Sequence, residues 1–221
     1  IILYTVYLIF NFNFFLIFFG LLIFIIPLIK YGKEINKGHG IELEKNSRLG
    51  GLIIFITLLI AFYTTNNFKL GNQLFDSFNF FLIVLVAISL LGLVDDLFGK
   101  LGHLIRLYFN IFAIFILLYT NQVFLFEKTN LNIVNLILEY KFISYLITIF
   151  IIVGFINASN ISDGANGILS GISTIIFLIF YFETNNLIYL TIFEIILFFF
   201  LYNLIIGKAY LGDAGSYLLG F

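Results

Sequence analysis

Three short segments of the sequence combine aspartate or asparagine with glycine, and each adjoins a long apolar run. They are residues 92–96, 157–167 and 211–216. Carboxylate and amide oxygens are the ligands that Mg²⁺ prefers in proteins, and glycine lets backbone N–H groups come close to a phosphate. These residue types therefore point to a site for a divalent cation and an anionic substrate. The acids concerned are Asp95, Asp96, Asp163 and Asp213.

Each segment alone also has an ordinary structural interpretation. The adjacent acids of the first segment could be a solvated helix end, although neighbouring carboxylates repel each other unless a cation, a base or a proton compensates. Ser162 or Asp163 could cap a following helix, and so could Asp213. The segment 157–167 is the most informative, because eleven residues rich in Asn, Asp, Ser and Gly exceed what a turn needs.

Composition narrows the class of protein that carries these segments. Of the 221 residues, 62% are hydrophobic and 10% are charged, against about 25% charged in a typical soluble domain. A chain of this size cannot bury so much apolar surface in water, which excludes a soluble enzyme, a nucleic-acid-binding protein and a disordered chain. Cysteine is absent from the sequence, which excludes disulfides and thiolate metal sites. We therefore predict an all-α fold, a polytopic transmembrane helical bundle.

Apolar runs near the length that crosses a bilayer, about 20 residues, divide the sequence into spans. We predict seven full spans plus the start of an eighth near Tyr217. The segment 131–138 is apolar but too short to span, and we expect it at the membrane interface. The predicted spans are 1–29, 51–64, 78–94, 104–120, 142–156, 168–182 and 187–206.

Charges divide unevenly between the two sets of loops that join these spans. The side of the membrane that holds the loops after the first, third, fifth and seventh spans carries eight Lys and Arg residues, among them Arg106 early in the fourth span, and the opposite side carries three. The positive-inside rule places the eight-charge side in the cytoplasm. Four of the five aspartates lie on that side at helix ends, where a carboxylate costs much less than at mid-bilayer. The basic segment 30–48 is interpreted as both a topology signal and a rim that attracts phosphates.

In combination, the motifs resemble those of the polyprenyl-phosphate N-acetylhexosamine-1-phosphate transferases. That family includes the undecaprenyl-phosphate GlcNAc-1-phosphate transferases and the phospho-N-acetylmuramoyl-pentapeptide transferase. The matches follow the family's order, and the resemblance covers essentially the whole chain. They are Ser47 to Gly51, Gly92 to Asp96, Asn157 to Gly167 and Gly212 to Ser216. The Thr-Pro-rich start of the second span in the pentapeptide transferase is absent, which favours a plain UDP-HexNAc as the sugar donor.

The resemblance implies transfer of a HexNAc 1-phosphate from a UDP-sugar to a polyprenyl (undecaprenyl) phosphate, giving UMP and a polyprenyl-diphosphate-sugar. Such a reaction is the first membrane step of cell-envelope polysaccharide synthesis, and it requires Mg²⁺, with Mn²⁺ as an alternative. The implied location is the bacterial cytoplasmic membrane, with the active site facing the cytoplasm. The implied partners are the UDP-HexNAc, the polyprenyl phosphate lipid and the bilayer, but no nucleic acid; a homodimer is left open.

Site roles follow from the same resemblance, position by position. Asp213 resembles the Mg²⁺-binding aspartate, and Asp95 the residue proposed to deprotonate the lipid phosphate, with Asp96 beside it as a second acid. We favour direct displacement over a covalent aspartyl-phosphate. The implied catalytic residues are Asp95, Asp96 and Asp163, and the implied substrate-binding residues are Asn160, Asn157, Arg106, Arg48 and Asn166.

Two other functions stay open from the residues alone. A cation-coupled membrane transporter would carry acids near mid-membrane and interrupted helices. An intramembrane aspartyl protease would place two aspartates face to face inside the bilayer, and Tyr210 to Asp213 is similar to its motif. The sequence begins with Ile, holds no Met and stops within an apolar run. We therefore expect residues 1–221 to be a single transmembrane transferase domain that is truncated at both ends.

Overall fold

The computed structural model describes residue 20 and residues 48–64, 72–99, 101–164, 167–207 and 209–221. Within these residues the regular structure is helical, without strands, as the composition predicts. The helices of this part of the chain are α1 Gly50–Thr64, α2 Asn72–Phe98, α3 His103–Thr120, α4 Asn132–Leu138, α5 Lys141–Ser162, α6 Ile168–Thr184, α7 Leu187–Ile206 and α8 Gly212–Gly220, with a 3₁₀ turn at Gln122–Phe124.

Four of these helices are long and apolar enough to cross a membrane. They are α3, α5, α7 and the Asn79–Phe98 part of α2. The apolar helices α1 and α6 are shorter, at 15 and 17 residues. The first predicted span, 1–29, lies outside the described residues apart from Gly20. The chain is thus a multi-pass, all-α membrane protein, and the prediction of seven full spans and a partial eighth stays a prediction.

Helix boundaries differ from the predicted ones at two of the polar motifs. Helix α5 continues to Ser162, so that Asn157 and Asn160 are helical and do not belong to a loop. Asn157 bonds within the helix, where its Nδ2 donates to the Val153 carbonyl at 2.7 Å. Helix α8 begins at Gly212 rather than near Tyr217, because a side chain from another helix caps its first turn. The short α4 covers most of the segment 131–138, whose position at the membrane interface stays a prediction.

The short helix α8 lies among α1, α2 and α5. Glycines on the neighbouring helices allow its backbone to come close: a Cβ added at Gly92 would lie 2.6 Å from the carbonyl oxygen of Asp213. At Gly51, an added Cβ would overlap the backbone of Gly215. Small residues bring membrane helices into close van der Waals contact. They place the first turn of α8 among the ends of three other helices.

Candidate active site

Alternating chain direction brings four polar helix ends together. The last turns of α2 and α5 carry Asp95, Asp96 and Asn160, and the first turns of α3 and α8 carry Arg106 and Asp213. Because α2 and α5 end where α3 and α8 begin, the side chains meet at one end of the bundle. Three segments that are distant in the sequence thus form one polar cluster.

Arg106 joins two of the acids through a single nitrogen. Its Nη1 donates to Asp95 Oδ2 at 2.7 Å and to Asp213 Oδ2 at 2.5 Å. The three side chains are each between 14% and 21% exposed, so the ion pairs are shielded from water but still accessible. The backbone N–H of Leu101 donates to the other oxygen of Asp95 at 3.1 Å. One cationic nitrogen therefore compensates two carboxylates from different helices.

Asp96 has a different set of partners from its neighbour in sequence. Its two carboxylate oxygens accept the backbone N–H groups of Asp213 at 3.0 Å and Ala214 at 2.9 Å. These are donors that a helix leaves unpaired in its first turn, and a carboxylate there also interacts favourably with the helix dipole. Asp96 is 9% exposed and thus acts as the cap of α8. Its predicted part as a second acid in the reaction stays a prediction.

Asn160 and Asp163 bring α5 into the site. Ser216 Oγ donates to Asn160 Oδ1 at 3.4 Å, and Asn160 Nδ2 donates to the Tyr217 hydroxyl at 3.5 Å. Asp163 caps the end of α5. Burial raises the pKa of Asp163 to about 7, although the facing backbone N–H of Gly212 opposes the shift. This carboxyl group is therefore close to the point at which it can either hold or release a proton near neutral pH.

The environment of Asp213 also favours a proton. Burial raises the pKa of Asp213 above its ordinary value, and the neighbouring Asp95 adds to the shift, while Arg106 opposes it. Two acids near one cation carry more negative charge than that cation neutralises. A second cation would lower this repulsion.

The other predicted binding residues take three different positions. Arg48 is exposed at the start of α1, and its positive charge acts on Asp163 and Asp213. Asn157 turns its amide onto the carbonyl of its own helix, one turn away from Asn160. Asn166 lies outside the described residues. The structure therefore brings Arg48 to the rim of the site and shows Asn157 bonded within its helix.

The carboxylates fit a hard divalent cation in chemistry, although they do not form a complete coordination shell. Among the described residues, no three His, Asp or Glu side chains converge as a metal-binding group. Asp95 and Asp213 nevertheless aim one oxygen each at the same guanidinium nitrogen. Mg²⁺ is usually bound by one or two carboxylates, with water and substrate phosphate completing the shell. Asp95 and Asp213 could therefore supply the two carboxylate ligands of such a site.

A small cavity adjoins Asp163 on the side of α6 and α7. The carboxamide of Asn203 is 2% exposed; its Nδ2 donates to the Ala209 carbonyl at 2.6 Å, but its buried Oδ1 has no donor among the described residues. A buried carbonyl oxygen without a partner costs free energy unless a ligand or water supplies a donor. The cavity is lined by Asp163, Gly167, Ser170, Phe199, Asn203, Tyr210 and Leu211.

Sequence reasoning missed Asn203 and Tyr217 as members of the site. Asn203 interrupts an otherwise apolar run, and polar side chains within such a run are a recognised signal. Tyr217 follows Asp213 by four residues, a spacing that places both on one face of a helix. The signal at Asn203 was present in the sequence, whereas the one at Tyr217 depended on knowing that α8 begins at Gly212.

Comparison with known proteins gives a consistent assignment. Residues 78–221 match the family model described as Glycosyl transferase family 4. A phospho-N-acetylmuramoyl-pentapeptide-transferase of Listeria welshimeri is 28% identical over 87% of this chain and 64% of its own length. An undecaprenyl-phosphate alpha-N-acetylglucosaminyl 1-phosphate transferase of Thermotoga maritima is 32% identical, over 84% of this chain and 51% of its own length. The chain thus spans less than two thirds of the length of these relatives.

Proposed function

Because the chain belongs to glycosyl transferase family 4, we propose that it transfers a sugar 1-phosphate from a UDP-HexNAc to a polyprenyl phosphate and releases UMP. The observation that supports this most strongly is the single Arg106 nitrogen between Asp95 and Asp213 at one end of an apolar helix bundle. A charged site at a bundle end suits the meeting of a water-soluble nucleotide-sugar with a membrane lipid. Family membership also favours a transferase over the transporter and the protease that the residues alone left open.

The reaction requires two phosphate groups to approach each other. An oxygen of the lipid phosphate forms a bond to the β-phosphorus of the UDP-sugar, and the bond from that phosphorus to the bridging oxygen breaks, leaving UMP. Several negative charges come together in this step, so catalysis depends mainly on positioning and charge compensation. Arg106 supplies one positive charge, which a phosphate oxygen can share once a carboxylate releases it.

We assign Mg²⁺ to Asp213, with Asp95 as the neighbouring carboxylate. When bound, the ion would neutralise charge on the phosphates and hold them in line. Asp95 would also accept the proton of the lipid phosphate. Its Oδ2 faces the Arg106 nitrogen that it shares with Asp213, while its Oδ1 accepts the Leu101 N–H. Once Asp95 accepts this proton, the lipid phosphate can itself attack the donor. We therefore favour direct displacement, which needs no nucleophilic side chain.

We place the nucleotide-sugar beside Asp163, next to the small cavity that Asn203 lines. The cavity's polar lining and the unpartnered Oδ1 of Asn203 suit a hydrogen-bond donor from the ligand or from a water that the ligand holds. A nucleotide-sugar has N–H and O–H donors, whereas a polyprenyl chain has none.

The proposal also states which sugar is transferred and which side of the membrane the site faces. The named relatives include both a pentapeptide transferase and a GlcNAc 1-phosphate transferase. We propose a plain UDP-HexNAc as the donor. The pentapeptide transferase has a Thr-Pro-rich segment at the start of the span that corresponds to α1, whereas the one proline of this sequence, Pro27, is distant from that position. The excess of Lys and Arg in the loops on this side supports a cytoplasmic position for the site.

The test is a transfer assay with the full chain in detergent, undecaprenyl phosphate, Mg²⁺ and a panel of radiolabelled UDP-sugars. We expect labelled lipid and UMP from UDP-GlcNAc, and neither product from Asp95→Asn, Asp163→Asn or Asp213→Asn. Asn203→Leu should raise KM for the UDP-sugar more than KM for the lipid. Product from UDP-MurNAc-pentapeptide alone would correct the sugar, and normal turnover by Asp213→Asn would refute the site.

A further inference from the structure

The connection between α3 and α5, residues 121–140, exposes large apolar side chains at the end of the bundle opposite the acids. Its helices are the 3₁₀ turn and the seven-residue α4, and both are too short to span a membrane. In α4, Ile133, Leu136 and Ile137 are exposed, and their spacing places them on one helix face. Exposed apolar surface of this extent marks contact with a partner or a membrane. The side chains of the connection that are between 61% and 77% exposed are Val123, Leu131, Ile133, Leu136 and Tyr140.

Polar groups of the same connection are bonded within the protein. Asn135 of α4 closes the preceding loop, because its Oδ1 accepts the Thr129 N–H at 2.7 Å and its Nδ2 donates to the Thr129 carbonyl at 3.0 Å. At the other end of α4, the Ser144 hydroxyl donates to the Leu138 carbonyl at 2.8 Å. Hydrocarbon supplies no hydrogen bonds, so backbone groups that meet it must be satisfied internally. These bonds prepare the connection for an environment with little water.

Two buried hydroxyl groups of α5 hold the connection in place. Ser144 and Thr148 are both almost fully buried, and they lie one helix turn apart. Thr148 Oγ1 accepts the Phe126 N–H at 3.0 Å, while Ser144 holds the end of α4. The connection is therefore attached to a spanning helix at two points, one before α4 and one after it.

The exposed apolar surface continues from the spanning helices onto the connection. Helices α3 and α5 are long and apolar enough to cross a membrane, so their exposed apolar side chains face lipid. Tyr119 at the end of α3 is exposed, and so are Phe142 and Leu146 at the start of α5. The connection joins these two ends directly. Its apolar side chains thus extend a surface that lipid already covers.

Charge in and beside the connection is balanced. Two acids, Glu127 and Glu139, accompany two bases, Lys128 and Lys141, and all four are exposed. A surface that recognises anionic headgroups carries an excess of Lys and Arg, which is not the case in residues 121–141. The partner is therefore expected to be the hydrocarbon of the lipid rather than the charge of its headgroup.

We propose that residues 121–140 form a membrane anchor that inserts the exposed face of α4 among the acyl chains just below the headgroups. Ile133, Leu136 and Ile137 enter the lipid, and the polar side chains that hold α4 stay within the protein. Amphipathic helices at an interface bury their apolar face about 5–10 Å into this boundary. The anchor does not depend on the proposed transfer reaction.

Tryptophan fluorescence tests the lipid contact, because the sequence contains no tryptophan. Leu136→Trp and Ile133→Trp each place a single indole on the exposed face of α4. The full chain is reconstituted in phosphatidylcholine nanodiscs, which leave both membrane faces open to the buffer. We expect phosphatidylcholine brominated near the headgroup end of its acyl chains to lower the indole fluorescence about twofold or more. Iodide in the buffer should lower it little.

Lys128→Trp is the matched control, because Lys128 is an exposed charged residue of the same connection. Its fluorescence should respond to iodide and only weakly to the brominated lipid. Circular dichroism confirms that each variant keeps the helical content of the unmodified chain, and two reporter positions guard against failure of one. Quenching of both α4 reporters by iodide, as in the control, would place α4 in water and overturn the proposal. Protection from both quenchers would mean that protein, such as a second copy of the chain, covers the face, and would also overturn it.

A change of headgroup separates hydrocarbon contact from electrostatic attraction. Replacing about a third of the phosphatidylcholine by phosphatidylglycerol should change the lipid quenching of Leu136→Trp by less than about a fifth, because the connection has no excess charge. Added salt should have equally little effect. Lipid quenching that requires the anionic lipid and disappears at high salt would contradict the proposal, since it would assign the contact to the headgroups.

Discussion

The carboxylate of Asp96 accepts the backbone N–H of Asp213 at 3.0 Å, so one acid of the adjacent pair fixes the helix that carries a third acid. Its neighbour Asp95 points to Arg106 instead. The two side chains are about 100° apart around helix α2, which explains how consecutive residues reach different partners. Positioning of α8 and charge compensation are thus divided between them.

This division predicts different effects on stability and on activity. Asp96→Ala should lower the free energy of unfolding by about 1–2 kcal/mol, because two N–H groups of α8 lose their acceptor. Asp95→Asn should change stability much less and abolish UMP release. Thermal unfolding followed by circular dichroism in detergent measures the first effect, and the transfer assay measures the second.

Asn186→Ala is the matched control for Asp96→Ala. The Asn186 side chain accepts the Ile188 N–H at 3.0 Å and caps α7 at the opposite end of the bundle. Asn186→Ala should lower the free energy of unfolding because α7 loses its cap, but the protein that remains folded should turn over normally. The account would be wrong if Asp96→Ala were as stable and as active as the unmodified chain.

The single-nitrogen bridge predicts that lysine can replace Arg106. Both ion pairs use Nη1, so the Nζ of a lysine can approach the same two carboxylates. We expect Arg106→Lys to keep UMP release within about tenfold, and Arg106→Gln to lose about a hundredfold or more, because the positive charge is removed. Steady-state kinetics on purified variants make the comparison. Equal activity of the Gln and Lys variants would contradict a charge-compensating role.

The close contact between α2 and α8 predicts that Gly92 cannot be enlarged. A Cβ there would lie 2.6 Å from backbone atoms of Asp213 and Ala214, so Gly92→Ala must push α8 away. We expect lower thermal stability and a loss of UMP release of about tenfold or more, since small displacements at a site are costly. Circular dichroism and the transfer assay together measure the two effects.

Gly154→Ala is the control for Gly92→Ala, and we expect it to have the opposite effect on stability. Gly154 is a helical residue of α5 with no atom within 4 Å of an added Cβ. Alanine should therefore be neutral or stabilising there by up to about 1 kcal/mol. A Gly92→Ala variant that behaved like Gly154→Ala would show that α8 does not depend on this contact.

Labelling from each side of the membrane tests the placement of the site. The sequence contains no cysteine, so single cysteines report without background. Gly102→Cys and Gly164→Cys lie at the site's end and Asn130→Cys lies at the other, and all three positions are exposed. An impermeant maleimide should label Asn130→Cys in intact cells and the other two after permeabilisation. Labelling of Gly102→Cys and Gly164→Cys from opposite sides of the membrane would contradict a common site for the two helix ends.

Apolar run length predicted the helices well, because a spanning segment must satisfy its backbone hydrogen bonds internally. It predicted the start of α8 poorly, since Gly212 begins a helix only where Asp96 supplies the cap. That contact joins residues more than a hundred positions apart. It cannot be read from local pattern.

The sequence predicted which polar side chains lie together better than it predicted how each is oriented. The residue types identified Asp95, Asp213 and Asn160, because acids and amides are rare in apolar runs. They could not show that Asp95 and Asp96 point in different directions, since this depends on which neighbours each helix face meets. Tyr217 was hidden among the other aromatic residues, which make up 20% of the sequence, and only its contact with Asn160 distinguishes it.

The most direct test of sugar 1-phosphate transfer follows the two phosphates of the donor separately. Undecaprenyl phosphate, Mg²⁺ and the full chain are incubated with UDP-GlcNAc carrying ³²P in either the α or the β position. We predict that β-³²P enters the lipid fraction and that α-³²P stays in water as UMP, with neither change in Asp213→Asn. Retention of both labels in released UDP, or no lipid product from a folded chain, would contradict the account.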